Sequence, residues 1–185
     1  DRISRGHRFL GSDVMILSPS TYEEQLKKAY VCVDVEERKN RILTQLQALE
    51  KEHGWVIPVD ESLLDEVTNL VEFPTALVGQ LDSEFLSLPK LVLITTMREH
   101  QRYFSVEDQQ GKILPYFVTI RNGDDRHLDI VVRGNEKVLQ ARLADARFFF
   151  EEDLKLPIDQ AVKQLDRIVF RKELGTIGER VHRIR

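Results

Sequence analysis

Two runs of β-prone residues flank a short polar turn in the middle of the chain, and this hairpin signature constrains the fold more than any other feature. The runs are residues 103–106 and 114–120, and the turn between them is Glu107-Asp108-Gln109-Gln110-Gly111-Lys112. A polar, glycine-containing turn between β-prone runs is typical of an antiparallel hairpin. Segments with helical spacing lie on both sides of it, so the sequence predicts an α+β fold.

Capping residues mark two helices before the hairpin. Asp34 is predicted to cap a helix that ends at Gly54, because its carboxylate can accept hydrogen bonds from the first turn and glycine suits a helix end. Asp60 is predicted to open the next helix in the same way. The β-prone residues 29–33 and 55–57 are predicted to form short strands between these elements.

After the hairpin the spacing of apolar residues becomes helical. A long helix is predicted from Leu128, with Phe149 and Phe150 assigned to the core. A further helix is predicted from Ile158 to about Leu174.

Pro157 is predicted to separate two domains, because proline ends a helix or starts the next one. Residues 1–156 are expected to form the mixed helix and strand body. Residues 157–185 are expected to form a helical segment.

The charge of the chain is unevenly distributed. Its net charge of −4 excludes a uniformly basic coat for nucleic acid, but residues 1–9 carry +2, residues 161–185 carry +4, and the residues between them carry −10. Basic ends can neutralise phosphate groups and release counterions. The alternative is that both ends pack against neighbouring domains.

The sequence has no signature of a common catalytic or metal centre. The nine glycines form no phosphate-binding loop, Gly-x-Ser-x-Gly is absent, and the five histidines have no metal-ligand spacing. The single cysteine, Cys32, can form no internal disulfide bond, which fits a reducing cytoplasm. Gly175 and Gly178 have the spacing of a loop that can clamp an RNA backbone, with an ordinary helix end as the alternative.

Residues 97–104, Met-Arg-Glu-His-Gln-Arg-Tyr-Phe, concentrate side chains that suit RNA. Arg98 and Arg102 can pair with phosphate oxygens, whereas His100 and Tyr103 can stack on an unpaired base. The alternative is a helix-to-strand junction whose aromatic residues enter the core and whose charges pair locally.

A second group of candidate residues lies on the predicted long helix. Arg133, Asn135 and Arg142 can surround an anionic ligand, and they equally suit a structural role on a helix surface.

Six blocks of sequence resemble, in the same order, the beta subunit of bacterial heterotetrameric glycyl-tRNA synthetase. Six ordered blocks are far more specific than any single short motif, and they cover nearly the whole chain. The resemblance implies that these 185 residues are an internal part of a longer subunit. The blocks are Arg5-Gly6-His7-Arg8-Phe9, Glu66-Val67-Thr68-Asn69-Leu70-Val71-Glu72, Glu99-His100-Gln101-Arg102-Tyr103-Phe104, Arg133-Gly134-Asn135-Glu136, Ala141-Arg142-Leu143-Ala144-Asp145-Ala146 and Phe149-Phe150-Glu151-Glu152-Asp153.

The resemblance implies a fold and a division of labour. The body is expected to be similar to the editing-type module of the phenylalanyl-tRNA synthetase beta subunit, followed by the start of a helical HD-like domain. The alpha subunit is expected to hold the adenylate-forming site with its ATP and Mg²⁺, so no catalytic residue, metal or cofactor is expected here. The expected partners are that alpha subunit and tRNA(Gly), with neither DNA nor a membrane.

The leading hypothesis is a cytoplasmic, non-catalytic module that binds and positions tRNA(Gly) for aminoacylation. His100, Arg102 and Tyr103 are the expected direct contacts. Secondary contacts or scaffold roles are expected from Arg98, Arg133, Asn135 and Arg142.

Two alternatives to this hypothesis remain open. The first is a hydrolytic editing site for mischarged tRNA, with His100 or Glu99 as general base and Asn135 as a donor to an oxyanion. Glycine is the smallest amino acid, so a synthetase can exclude larger ones sterically and the need for editing is low. The second alternative is a scaffold between subunits that never touches RNA, which the acidic middle of the chain favours.

Overall fold

The computed structural model describes residues 2–184, and these form two compact units. The first unit extends to Ala144 and the second begins at Asp145. The predicted boundary between residues 156 and 157 stays a prediction. The seven candidate tRNA contacts of residues 97–104 and of the long helix, from Arg98 to Arg142, belong to the first unit.

Residues 2–184 combine helices with three small antiparallel sheets, as the α+β prediction requires. Short 3₁₀ turns connect several elements. None of the helices in residues 2–184 is long and apolar enough to cross a bilayer. In chain order the elements are β1 (Ile3–Arg5), β2 (Asp13–Met15), α1 (Tyr22–Lys28), α2 (Val35–His53), α3 (Glu61–Leu70), β3 (Pro74–Gln80), α4 (Lys90–Thr95), β4 (Phe104–Glu107), β5 (Ile113–Asn122), α5 (Leu128–Lys155), α6 (Ile158–Gln164), β6 (Val169–Arg171), β7 (Gly175–Thr176) and α7 (Ile177–Ile184).

The predicted hairpin is confirmed and forms two strands of the central sheet. Strand β5 lies in the middle, paired antiparallel with β3 on one side and β4 on the other. The Asp108 carboxylate accepts hydrogen bonds from the backbone N–H groups of Gln110 and Lys112, both at 2.9 Å, and this closes the turn. Gly111 supplies the left-handed conformation that the turn needs, with φ of 78°.

The core of the first unit lies between the sheet and helices α2 and α3. Adjacent residues Phe117 and Val118 of β5 are both fully buried, so both faces of that strand are covered at this point. Burial of such side chains contributes about 1.5–3 kcal/mol each. The main cluster consists of Ile42, Leu46, Ile57, Leu63, Leu64, Val67, Val71, Phe104, Val106 and Val118.

Both predicted helix caps before the hairpin are confirmed. The Asp34 carboxylate accepts a hydrogen bond from the Glu37 backbone N–H at 2.7 Å, and α2 ends at Gly54, whose φ is 69°. The Asp60 carboxylate accepts from the Leu63 backbone N–H at 2.9 Å, so α3 begins at the next residue after Asp60.

The strand predicted over residues 29–33 is wrong. Tyr30 has a φ of 60°, which turns the backbone away from an extended conformation. The backbone N–H of Val31 then donates to Leu26 and that of Cys32 donates to Glu72, so these groups find partners outside a ladder. Residues 55–57 likewise form only an isolated bridge, between Val56 and Glu107.

Two expectations for the C-terminal region are also corrected. The helix predicted from Ile158 to Leu174 is wrong, because α6 ends at Gln164 and the following residues form the β6–β7 hairpin. On α5, Phe149 is 64% exposed and Phe150 half-buried, so neither is the core residue that the apolar spacing predicted.

The Gly175 and Gly178 pair lies where a helix begins, not where one ends. Thr176 and Glu179 form a reciprocal capping box at the start of α7. The Thr176 backbone N–H donates to the Glu179 carboxylate at 2.8 Å, and the Glu179 backbone N–H donates to the Thr176 hydroxyl at 3.1 Å. The spacing of the glycines is thus explained by a turn into a capped helix.

Candidate functional site

The segment with the richest chemistry adopts an unusual backbone. Helix α4 continues as a π-helix over Thr96–Gln101, and Arg102 follows it in the left-handed conformation with φ of 57°. Both features are uncommon for ordinary residues and recur at functional sites. Nothing in the spacing of these residues in the sequence indicated the π-helix. His100 lies exposed on this segment.

The two arginines of the segment are bound to helix α3. Arg102 Nε lies 2.7 Å from a Glu66 carboxylate oxygen, and Arg98 Nη1 lies 3.0 Å from the Asp60 carboxylate. Arg98 also donates to the Ser62 hydroxyl at 2.8 Å. These contacts match the local charge pairing that the sequence left open as the alternative to RNA binding.

The Asp60 carboxylate serves both the cap of α3 and this charge pair. A hydrogen bond from the Leu63 backbone N–H, the Ser62 hydroxyl and the Arg98 guanidinium together hold the pKa of Asp60 below its usual value. The start of α3 is therefore a charged junction with the π-helix.

Tyr103 is a buried connection between the sheet and helix α5. It is 4% exposed, and its ring stacks on Phe117 with centroids 4.6 Å apart and planes inclined by 14°. Its hydroxyl donates to the Asn135 side-chain oxygen at 2.8 Å, and the Asn135 amide donates to the Val131 carbonyl at 3.0 Å. The Tyr103 ring thus has no exposed face for the base stacking that the sequence suggested, and Asn135 already uses both ends of its amide.

Burial raises the pKa of Tyr103 to about 12, against the ordinary value of 10.0. The folded state holds the Tyr103 proton more tightly than the unfolded state does, and this difference stabilises the folded protein. The stabilisation is fully present below about pH 10 and is lost as the pH rises through 12. Between pH 10 and pH 12, we expect the free energy of unfolding of the unsubstituted protein to fall by about 1.4 kcal/mol per pH unit more than that of Tyr103→Phe, which lacks the titrating hydroxyl. Denaturant titrations of both proteins at several pH values measure it, and parallel curves would contradict it.

The remaining candidate residues lie on the surface of α5. Arg133 is exposed and pairs with Asp129 one turn earlier at 3.0 Å, and Arg142 is exposed. The structure therefore brings Arg98 and Arg102 together where the π-helix contacts α3 and its N-cap, and it brings Tyr103 together with Asn135. It does not place Arg133 and Arg142 in contact with either pair.

A second concave surface, here called the N-terminal groove, lies elsewhere in the first unit. It has a volume of about 730 Å³, and its walls include Arg5, His7, Arg8, Phe9 and Arg38. Residues 69–72 also line the groove, so the first two blocks of the resemblance meet here. The positive charge of residues 1–9 was the sequence signal for this groove, but nothing in the sequence showed that the two blocks meet.

Metal-ligand chemistry is not indicated by the geometry. Among residues 2–184, no three His, Cys, Asp or Glu side chains are grouped so that they could hold a metal ion.

The comparison with known families decides what kind of chain carries these surfaces. The sequence model described as glycyl-tRNA synthetase beta subunit matches residues 1–185. The chain belongs to this family. A glycine–tRNA ligase beta subunit from Halalkalibacterium halodurans is 62% identical over 180 residues, which are 97% of this chain and 26% of that protein. The one from Bacillus subtilis is 57% identical over 183 residues, 99% of this chain and 27% of that protein.

The chain spans about a quarter of the length of these curated relatives. The beta-subunit resemblance inferred from six sequence blocks is therefore confirmed. In this beta-subunit segment the blocks contact one another: Arg102 binds Glu66, and Tyr103 binds Asn135. Several residues of the blocks thus hold the fold together.

Proposed function

We propose that this chain is a non-catalytic module of a glycine–tRNA ligase beta subunit that helps to bind and position tRNA(Gly) in the cytoplasm. The supporting observation is the match over the whole chain to a family whose relatives are named glycine–tRNA ligase beta subunit. The alpha subunit is the expected partner and carries the ATP and Mg²⁺ needed to activate glycine. A likeness of the α+β body to the phenylalanyl-tRNA synthetase editing module is part of the proposal.

On the π-helix, His100 and Arg102 are the side chains best placed to meet RNA. His100 is exposed, and the pair between Arg102 and Glu66 is half-exposed. A solvent-exposed ion pair contributes only about 0–1 kcal/mol, so Arg102 can exchange Glu66 for a phosphate oxygen at little cost. Tyr103 and Asn135 position this segment and are not expected to contact RNA directly.

A scaffold between subunits is the second candidate, and one observation favours it. Both Arg98 and Arg102 already have carboxylate partners, at the N-cap of α3 and on α3 itself, which lowers the positive potential that phosphate would meet. The editing alternative has no comparable support, because the Asn135 amide already holds the fold together: one of its N–H groups donates to the Val131 carbonyl and its oxygen accepts from the Tyr103 hydroxyl.

Photo-crosslinking of tRNA(Gly) to the alpha–beta holoenzyme tests the proposal at the level of the module. We expect RNA-linked peptides from residues 2–184 of this chain, including residues near His100. Crosslinks from this region to protein alone would establish the scaffold instead.

Arg102→Gln in the holoenzyme tests the π-helix surface. We expect tRNA(Gly) to bind about tenfold more weakly at 0.1 M salt, with a salt dependence reduced by about one unit, because one phosphate contact is lost. The control is Lys155→Gln, which removes an exposed cation from another ion pair. Equal affinities and equal salt dependences in the two variants would remove Arg102 from the tRNA contacts.

A further inference from the structure

The N-terminal groove differs from the π-helix surface in the balance of its charges. Arg5 and Arg8 are exposed, and in the part of the chain that the structure describes neither forms an ion pair. Arg38 donates to the carbonyls of Cys32 and Val33, both at 2.8 Å, and has no carboxylate partner there either. Arg98, Arg102 and Arg133, by contrast, are all paired with carboxylates.

One carboxylate is present among the described residues of the groove wall, that of Glu72. Three guanidinium groups therefore face one carboxylate in a concave site. Because low-dielectric walls focus the field of unpaired charges, such a site attracts anions.

His7 holds in place the loop that carries Arg8 and Phe9 at the groove wall. Its side chain is buried, and its Nδ1 accepts hydrogen bonds from the backbone N–H groups of Phe9 and Leu10, both at 3.3 Å. A neutral imidazole with Nδ1 as acceptor carries its proton on Nε2. That Nε2 is buried with no hydrogen-bond partner among the described residues, although such groups are normally satisfied. His7 lines the groove, but its Nε2 is buried, so the accessible donors of this wall are the Arg5 and Arg8 guanidinium groups.

Phe9 places an aromatic ring at the same groove. It is 83% exposed, and the Arg8 guanidinium lies 5.5 Å from its ring centroid. Exposed aromatic rings beside arginines are the usual platform for bases of single-stranded RNA. An acidic peptide would use the arginines but would leave this ring without a partner.

The loop that carries these groups is held in a defined conformation. The His7 backbone N–H donates to the Ala29 carbonyl at 2.9 Å, and the Gly6 backbone N–H donates to the Ser12 carbonyl at 3.0 Å. A Cβ at Gly11 would lie 2.4 Å from the Ala29 carbonyl oxygen, so the loop packs closely on that residue. These backbone contacts therefore hold the loop in the conformation that leaves the Phe9 ring exposed.

We propose that the N-terminal groove binds a single-stranded phosphodiester segment of the tRNA. Arg5 and Arg8 contact phosphate oxygens, and Phe9 stacks on a base. The inference rests on the proposed function, because the RNA is the tRNA that the ligase binds.

The charge contacts are tested with Arg5→Gln/Arg8→Gln in the holoenzyme made with the full beta chain. We expect the salt dependence of tRNA(Gly) binding to fall by about 1.4 units, since each single-strand phosphate contact contributes about 0.7, and the Kd to rise about 20-fold at 0.1 M salt. The matched control is Lys28→Gln/Lys51→Gln, which removes two exposed cations outside the groove wall. If both double variants change binding equally, the groove has no specific role.

The aromatic contact is tested separately. We expect Phe9→Ala to weaken binding roughly five- to 150-fold with an unchanged salt dependence, and Phe9→Tyr to restore it, because only the ring is needed for stacking. Glycine-dependent ATP–pyrophosphate exchange by the same preparations shows whether the holoenzyme is intact. Weak binding that Phe9→Tyr does not restore would contradict the stacking role.

A photoreactive p-benzoylphenylalanine in place of Phe9 identifies the occupant. A crosslink to tRNA supports the inference, and a crosslink to a protein segment overturns it in favour of peptide binding. If RNA crosslinks at residue 100 but not at residue 9, the inference fails and the proposed function stands. If RNA crosslinks at no position in the module, both fail.

Discussion

Gly79→Ala is expected to cost about 3 kcal/mol or more of unfolding free energy, an unusually large effect for one added methyl group. Gly79 of β3 lies directly opposite Phe117 of β5. A Cβ at Gly79 would lie 2.2 Å from Cζ of the Phe117 ring, which is fully buried. Overpacking a core costs about 1–3 kcal/mol, and displacing Phe117 also breaks its stack on Tyr103, worth about 0.5–1.5 kcal/mol.

The chain offers a matched control for this substitution. A Cβ at Gly134, on helix α5, would have no heavy atom within 4 Å beyond its own helix backbone. Gly134→Ala should therefore stabilise the protein by up to about 1 kcal/mol through helix propensity. Phe117→Leu added to Gly79→Ala should recover part of the loss, because the smaller side chain removes the clash. A Gly79→Ala variant as stable as Gly134→Ala in denaturant titrations would show that the ring is free to move.

The packing of Phe117 also links the position of Gly79 in the sheet to the conformation of the π-helix. The ring stack joins Phe117 to Tyr103, and Tyr103 joins Asn135 through its hydroxyl. Tyr103 follows Arg102 directly, and its backbone N–H donates to the Met97 carbonyl at 3.0 Å. Packing inside the sheet therefore fixes the position of the exposed segment that carries His100.

Local signals predicted the parts of the fold that depend on local contacts. Asp34 and Asp60 cap helices with hydrogen bonds that reach only three residues ahead, and Gly54 ends α2 through its own backbone conformation. The hairpin of β4 and β5 depends on a turn that is closed by backbone bonds and Asp108 carboxylate bonds within residues 108–112. Such features are visible in a single sequence because every partner is close along the chain.

The sequence predictions were wrong where residues far apart along the chain determine the local conformation or burial. Residues 29–33 have the composition of a strand, yet Tyr30 turns the chain, and the distant residues His7 and Glu72 bond to Ala29 and Cys32 outside any ladder. Phe149 has core-like spacing on α5 but is exposed in this structure. Residue propensities favour some local conformations over others, but tertiary contacts determine which of these conformations the folded chain adopts.

The candidate site shows the same limit. Arg102 is paired with Glu66, and Arg98 with Asp60, partners 36 and 38 positions away in sequence. The sequence could list the cations of residues 97–104 but could not show that α3 carries their counter-charges. Likewise, it showed a basic N-terminal stretch without showing that Arg5 and Arg8 lack carboxylate partners. Which arginines are free to meet phosphate is a property of the fold.

Lys90→Met is expected to cost about 3 kcal/mol, because it leaves a buried carboxylate without its cation. Glu107 is 7% exposed, and its carboxylate lies 2.7 Å from the Lys90 ammonium, which also donates to the Gly111 carbonyl at 2.8 Å. Breaking a buried ion pair from one side costs about 3–5 kcal/mol. The lower end applies because Lys90 itself is partly exposed and water can reach the site.

A double-mutant cycle separates the pair from the general effect of each change. Lys90→Met with Glu107→Gln should recover most of the loss, because no uncompensated charge remains. Lys28→Met, which breaks the exposed pair with Glu24, should cost no more than about 0.5 kcal/mol. Lys90 begins α4 and Glu107 ends β4, so the pair also sets where the helix leading to the π-turn starts. If Lys90→Met costs no more than Lys28→Met, burial of Glu107 does not isolate the pair from water.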